Sequence, residues 1–300
     1  MATSSSDVLI RPMTADDVGA AERLSSLAYL EVDRRSAQRA WPEPGPRSPD
    51  RAADWHARTK HLIVTDPGGC WVADRDGTVV GFATSLVREL MWILASYAVA
   101  PSEQGTGIGR ALLAASRGHG RGCLRAMLNA SPDPRAVRLY RSIGFDLHPQ
   151  MLLWGEVARA DLPVSDRHVR DGGPADFDLL DSIDRRVRGA AHGPDHALMA
   201  SRLRLLVTDR AAASGYAYVD EAGGAVALAA TQRKAARALL WEGLAGSDPD
   251  VPVRIGHVTA ANQWALDVAV EARLSIFTSG FLAVHHTRVP APYLPHPTFL

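Results

Sequence analysis

Residues 8–13 form a short apolar stretch around Arg11, and Thr14-Ala-Asp-Asp17 behind it reads as a helix N-cap with acids in the first turn. Val18, Ala21, Leu24 and Ala28 then recur at helical spacing, which predicts a helix. A breaker, Pro42-Glu-Pro-Gly-Pro46, separates it from a second helical region near residues 51–61. Residues 70–74 and 79–86 read as strands on either side of the hairpin signal Asp76-Gly77. Residues 90–99 are almost wholly apolar, as a central strand covered on both faces should be, and Pro101 ends them. Beyond Gln104-Gly-Thr-Gly-Ile-Gly109 the pattern predicts a helix at 110–116, a strand at 125–129, a helix at 134–143 and a strand at 150–157. Residues 158–167 are polar, contain Pro163 and predict a linker. Pro290, Pro292, Pro295 and Pro297 predict an irregular tail over 286–300.

The two halves resemble each other. Ile10-Arg11 and Asp17-Val18 align with Val169-Arg170 and Asp176-Phe177. Val72-Ala-Asp-Arg75 aligns with Val207-Thr-Asp-Arg210, Gly81-Phe-Ala83 with Gly215-Tyr-Ala217, and Arg110-Ala-Leu-Leu113 with Arg237-Ala-Leu-Leu240. The matches keep their order, so residues 168–285 read as a shortened copy of residues 1–157.

Composition narrows the function classes. Apolar residues make up 46% and charged residues 22% of 300, which excludes a disordered or fibrous chain. Lys plus Arg (33) equals Asp plus Glu (33), so the global charge that draws nucleic acid or anionic lipid is missing, and neither partner is expected. Cys70 and Cys123 make no disulfide framework, and His285-His286 lack a third ligand at helical spacing, so no metal is expected. No apolar run reaches the ~18 residues of a membrane span, and residues 1–7 lack the basic start and apolar core of a signal peptide. A cytoplasmic location is the expectation.

The chemistry concentrates at Gln104–Gly109. A glycine-rich turn between a buried strand and a helix lets backbone approach a ligand, and amides that open a helix lack intrahelical partners. The helix dipole favours an anion there, so a pyrophosphate fits. A Walker A loop would need Lys-Ser/Thr where Arg110-Ala111 stands, and a Rossmann fingerprint would follow the first strand. A tight turn with no ligand is the alternative.

Pro101-Ser-Glu-Gln-Gly-Thr-Gly-Ile-Gly-Arg-Ala-Leu-Leu113 resembles motif A of the GNAT N-acetyltransferases, and Ala136-Val-Arg-Leu-Tyr-Arg-Ser-Ile-Gly-Phe145 resembles their motif B. The resemblance covers residues 8–157 and extends faintly over 168–285. It implies an α/β (α+β) fold of two GNAT-like domains, each a mixed, mostly antiparallel sheet flanked by helices. It implies acetyl-CoA as acyl donor, with no metal, and a small-molecule amine or a protein amino group as acceptor. Monomer and homodimer both fit. In the family, Gln104, Gly105, Thr106, Gly107, Ile108, Gly109 and Arg110 would hold the CoA pyrophosphate, and the strand near Ala98 and Val99 the pantetheine arm. Tyr140 falls where the family often has a tyrosine that protonates the departing thiolate; a phenol titrating near ~10 can give its proton to a thiol of pKa near ~8.5. Packing of its ring on the sheet is the alternative. The family's frequent strand glutamate falls at Ile93, which leaves Glu89, on the preceding strand's end, as the nearest acid in sequence. Ser96 and Tyr97 could position a water.

The acceptor side of such a fold is walled by the first two helices, here carrying Tyr29, Glu31, Asp33, Trp41, Trp55 and His56. Tyr29, Trp55 and Tyr97 are the candidate substrate contacts; tryptophans packed only for stability are the alternative. In the second half the phosphate loop falls on Thr231-Gln-Arg-Lys-Ala-Ala236, without glycine, and Tyr140 falls on Ala269. That half therefore reads as a degenerate copy without acetyl transfer. A non-catalytic acyl-CoA-binding regulator is the alternative function for the chain.

Overall fold

The computed structural model describes residues 8–38, 41, 43–164, 166 and 168–300; the predicted absence of a leader at residues 1–7 and the breaker residue Pro42 lie outside them. By internal contacts the chain divides into two compact units: Met1–Ala126 with Pro132–Arg135, and Met127–Ser131 with Ala136–Leu300.

The first unit follows the pattern read from the sequence. Its elements are β1 (Leu9–Pro12), α1 (Val18–Ser36), α2 (Pro49–Thr65), β2 (Cys70–Arg75), β3 (Thr78–Arg88), β4 (Met91–Val99) and α3 (Ile108–His119). The four strands run antiparallel in sequence order. Helices α1 and α2 pack on β3, whereas α3 packs across β2, β3 and β4 through Ile108 and Leu112 against Ala73, Val80, Ala83 and Val99. One irregularity matters for the site. Leu94 pairs with Ser85 and Ser96 with Thr84, so Ala95 is an extra residue in β4, a β-bulge.

The second unit holds β5 (Arg125–Ala130, largely within it), α4 (Pro134–Ser142, likewise), β6 (Asp146–Gly155), β7 (Val169–Asp171), α5 (Phe177–Val187), α6 (Asp195–Ala200), β8 (Arg204–Thr208), β9 (Gly215–Val219) and β10 (Ala225–Ala230). It continues with α7 (Arg233–Ala245), β11 (Val253–Thr259), α8 (Gln263–Glu271), β12 (Ser275–His285) and β13 (Tyr293–Leu294). Strands β7 to β10 repeat the antiparallel order of β1 to β4.

Register proves the duplication residue by residue. Arg11 lies opposite Val72, and Arg170 opposite Val207. Ala73 faces Gly81, and Thr208 faces Gly215. A Cβ on Gly81 would meet Leu112 at 2.9 Å, and one on Gly215 would meet Leu239 at the same 2.9 Å. Those leucines are partners in the Arg-Ala-Leu-Leu alignment. The chain is thus two GNAT-like α/β copies, each a mostly antiparallel sheet flanked by helices.

The compact units nevertheless do not follow residues 158–167. Strand order in the second unit is β5-β12-β6-β11, so the last strand of the second copy lies between β5 and β6 of the first. The two copies have exchanged their sixth strands: β12 stands beside β5, and β6 beside β11. Gly280 permits the close approach, since a Cβ there would fall 2.2 Å from the Ala130 carbonyl oxygen. The proline-rich tail also departs from expectation. It forms β13, paired to β10, and buries Tyr293, Leu294, His296, Phe299 and Leu300.

Both copies open with the same clamp. Arg11 donates two hydrogen bonds of 2.8 Å to Asp17 and reaches Asp74, and Arg170 grips Asp176 at 2.6 and 3.0 Å. The bonds from Arg11 hold the Asp17 carboxyl down at about 2, against the opposing effect of burial. A depressed carboxylate stabilises the fold above its unfolded value and loses that contribution as pH falls through its folded value. Asp17→Asn is therefore expected to cost about 1–2 kcal/mol at pH 7, after allowance for the partial exposure of Arg11, with the deficit shrinking as pH approaches 2. Urea unfolding at both pH values measures it, and an equal deficit at both contradicts the assignment.

Candidate active site

The loop between β4 and α3 has the geometry of an anion cradle. Gly105 and Gly107 take φ of +87° and +97°, a left-handed conformation that costs other residues about 1–2 kcal/mol. Gly107 is the N-cap of α3, whose first helical bond runs from the Ala111 amide to the Gly107 carbonyl at 3.1 Å. The amides just before it therefore line the helix mouth. No atom lies within 4 Å of where a Cβ on Gly105 or Gly107 would stand, and both residues are exposed. The space at the mouth is thus open to a ligand. Gln104 donates its side-chain amide to the Val99 carbonyl at 3.2 Å and accepts a hydrogen bond from Arg135. Thr106 donates to the Glu103 carbonyl, and the Glu103 carboxylate pairs with Arg75 at 2.8 Å.

Gly109 serves a different purpose from the other two glycines. A Cβ there would fall 2.2 Å from the Tyr97 hydroxyl oxygen. Tyr97 therefore lies against α3, beside Val99 and Ile108, which corrects the expectation that it faces the acceptor. The bulge at Ala95 is the reason. Trp92 also meets α3, donating to the Ser116 carbonyl at 3.2 Å, and an even and an odd position can share one face only across an inserted residue. Burial, then the proximity of Tyr29, pushes the Tyr97 phenol up to about 12, so it stays protonated.

Glu89 is also corrected. It is exposed in the turn between β3 and β4, with φ of +52°. The length of β4 puts it about 23 Å along the strand from Ser96, too far to take a proton there. Ile93, at the position of the family's frequent strand glutamate, is fully buried.

On the other face of the first unit, the Tyr29 hydroxyl lies 3.2 Å from Ser96 Oγ and donates to the Tyr97 carbonyl at 3.2 Å. Tyr29 thereby braces the main chain of β4 next to the bulge. Trp55 is 6% exposed and stands edge-on to Phe82, with the Arg47 guanidinium 5.8 Å from its ring. Arg47 donates to Glu22 at 2.6 Å and to Ser25 at 2.9 Å. This Glu22–Ser25–Arg47 group was missed in the sequence. The signal was present: Glu22 sits on the apolar stripe of α1 with Val18, Ala21 and Ser25, where a glutamate has no business without a partner. Glu31 pairs instead with Arg35, one turn on, at the surface.

Tyr140 belongs to the second unit. It is 5% exposed on α4, and its ring stands edge-on to Phe145. Ala98 and Val99 end β4 and are buried.

The second copy has no such cradle. Only Thr231 and Gln232 separate β10 from α7, and the N-cap Gln232 has ordinary extended dihedrals. Register makes Ala229 and Ala230 the counterparts of Ala98 and Val99. These two are already taken: Ala229 pairs with Tyr293, and the Ala230 amide donates to the Pro292 carbonyl at 3.2 Å. Asn262, the residue before α8, accepts from the Tyr293 amide at 2.9 Å and donates to the Pro290 carbonyl. The tail thus lies along the strand edge where the first copy would hold pantetheine.

Residues 31–145 match the acetyltransferase (GNAT) family. The GNAT likeness in sequence thus lies within the first copy. A 94-residue stretch is 39% identical to the mycothiol acetyltransferase of Thermobispora bispora, covering 27% of this chain and 30% of that relative. The chain thus spans under a third of the length of the curated relatives it matches. Among solved structures, a protein of Pyrococcus horikoshii provisionally assigned as an acetyltransferase aligns over 100% of this chain and 97% of its own, with a TM-score of 0.73 and 17% identity. A tandem GNAT protein from the clavulanic acid biosynthesis pathway aligns over 94% and 100%, with a TM-score of 0.54 and 15% identity. At these identities the two structures establish the tandem GNAT fold.

Sequence reasoning also passed over a buried polar cluster. Asp184, His192 and His196 present ligand atoms within 4.8 Å of one another. The spacing His192-x-x-x-His196, with Asp184 upstream, is legible in the sequence, but the burial that brings the three together is not.

Proposed function

We propose that the chain transfers an acetyl group from acetyl-CoA to a primary amine by direct attack in a ternary complex. The observation that carries this reading is the pair of left-handed glycines opening onto the mouth of α3. The donor supplies an activated thioester. Main-chain amides of Gln104 to Arg110 bind its pyrophosphate, and the strand end at Ala98 and Val99 binds the pantetheine arm. Tyr140 gives its hydroxyl proton to the departing thiolate. Glu22 and Ser96 supply the polar groups of the acceptor side, and Trp55 its apolar wall. Tyr29 acts by holding β4 rather than by touching the acceptor.

β4 carries no carboxylate. The acceptor ammonium therefore loses its proton to water before attack, and turnover should climb with pH toward the amine's own value near ~10. The acceptor is a small amine or a protein amino group, the protein acts in the cytoplasm, and neither nucleic acid nor membrane takes part. Thiol release from acetyl-CoA in the presence of an amine panel tests the proposal. Isoleucine at position 93, in place of the family's frequent strand glutamate, favours a second reading, an acyl-CoA-binding regulator, for which binding without thiol release is the expected result.

A further inference from the structure

The second copy carries a cluster that the acetyl-transfer reading does not use. Asp184 and His196 are fully buried, and Asp181 is 20% exposed. His196 Nε2 lies 3.2 Å from Asp184 Oδ2 and 3.2 Å from Asp181 Oδ1, yet it has no hydrogen-bond partner. Its other nitrogen, Nδ1, is 3.0 Å from the Tyr218 hydroxyl, and that hydroxyl donates to the His196 carbonyl. With the hydrogen on Nδ1, the lone pair of Nε2 faces both carboxylate oxygens, an arrangement that a cation between them would satisfy.

The surrounding groups fix this arrangement. Tyr216 donates to Asp184 Oδ1 at 2.6 Å, and the Gly193 amide donates to Asp181 Oδ1 at 2.9 Å. Arg188 donates to His192 Nε2 at 3.1 Å, which leaves the hydrogen of His192 on Nδ1, pointing at Asp184 Oδ2 2.7 Å away. His192 thus orients Asp184 from outside, as partners of metal-bound carboxylates do. Ring stacking by Phe177 and Tyr218 fixes the plane of His196.

Comparison of the copies says what belongs there. The register at Arg11 and Arg170 makes Asp181 the counterpart of Glu22 and Asp184 that of Ser25. His196 stands edge-on to Tyr216 at 5.6 Å and 85°, as Trp55 stands to Phe82 at 5.6 Å and 86°. In the first copy a cation fills this spot: Arg47 binds Glu22 and Ser25 and lies over Trp55. In the second copy residues 189–194 between the helices contain no lysine or arginine, and the buried Arg188 before them, whose charge favours the Asp184 carboxylate, spends its donors on the Ala190, Ala191 and Phe299 carbonyls and on His192, while Glu22 and Ser25 are replaced by Asp181 and Asp184.

We propose that Asp181, Asp184 and His196 bind a first-row divalent transition ion in the second copy, where Arg47 stands in the first. Nitrogen and carboxylate donors about 2.0–2.2 Å from such an ion stand roughly 3.0–3.5 Å apart, which the two 3.2 Å separations match. The ion ties α5 to α6, and the exposed edge of Asp181 gives it a way in.

The test uses the full chain, stripped with chelator and titrated with zinc sulfate by calorimetry, with elemental analysis after gel filtration. One equivalent per chain and a raised Tm are expected. Asp181→Asn keeps an oxygen for the Gly193 amide and should weaken zinc at least 100-fold, with the circular dichroism spectrum unchanged. His286→Ala, which removes one ring of the surface pair His285–His286, should bind zinc like the parent chain. Failure to retain zinc, or retention undiminished in Asp181→Asn, overturns the proposal. Neither outcome bears on acetyl-CoA binding.

Discussion

Gly107→Trp is expected to abolish acetyl-CoA binding while the chain stays folded. Gly107 is exposed, caps α3 and turns its backbone at φ of +97°. Its Cβ would meet no atom within 4 Å, so an indole there projects into the open mouth that the proposal gives to the pyrophosphate. The left-handed backbone costs the variant about 1–2 kcal/mol, a small part of the stability of a folded domain. Gly109→Ala separates the two roles of the loop. Its methyl would fall 2.2 Å from the Tyr97 hydroxyl, so this variant should lower Tm through overpacking worth about 1–3 kcal/mol. Calorimetry with acetyl-CoA and a thermal melt on both variants measure the difference. Undiminished affinity in Gly107→Trp would remove the loop from the donor site.

Tyr140→Phe is expected to reduce turnover by about 10²–10⁴ with donor affinity unchanged, the size of effect that a lost general acid produces. The substitution removes one hydroxyl and keeps the ring that packs edge-on against Phe145, so the fold should survive. Thiol release at saturating donor reads the loss, and calorimetry reads the affinity. Turnover at the parent rate would end the proton-donor role and leave Tyr140 as a packing residue.

Much of the fold was legible because duplication left short matches whose register the sheets preserve. The Arg-Asp clamps, the Gly81 and Gly215 approaches and the paired leucines all fell where self-comparison placed them. What escaped the sequence was non-local. A bulge at Ala95 reverses the faces of β4, and no local pattern announces it, so Tyr97 was given the wrong side. Proximity in sequence points to Glu89 but says nothing about distance along an extended strand. The exchange of β6 and β12 depends on pairing between distant segments with similar apolar patterns. The tail was expected to be irregular because prolines break strands, yet Tyr293 and Leu294 fall between them and pair with β10. Glu22 was readable as a charge on an apolar stripe, but its partner Arg47 lies beyond a proline-rich break.

The proposed function requires one competent copy per chain. The first has the glycine cradle; the second has a two-residue connection and a tail along the matching strand edge. Titration calorimetry of the intact chain with acetyl-CoA tests this most directly. A stoichiometry of one per chain is the predicted result. Two equivalent sites, or none, would contradict it.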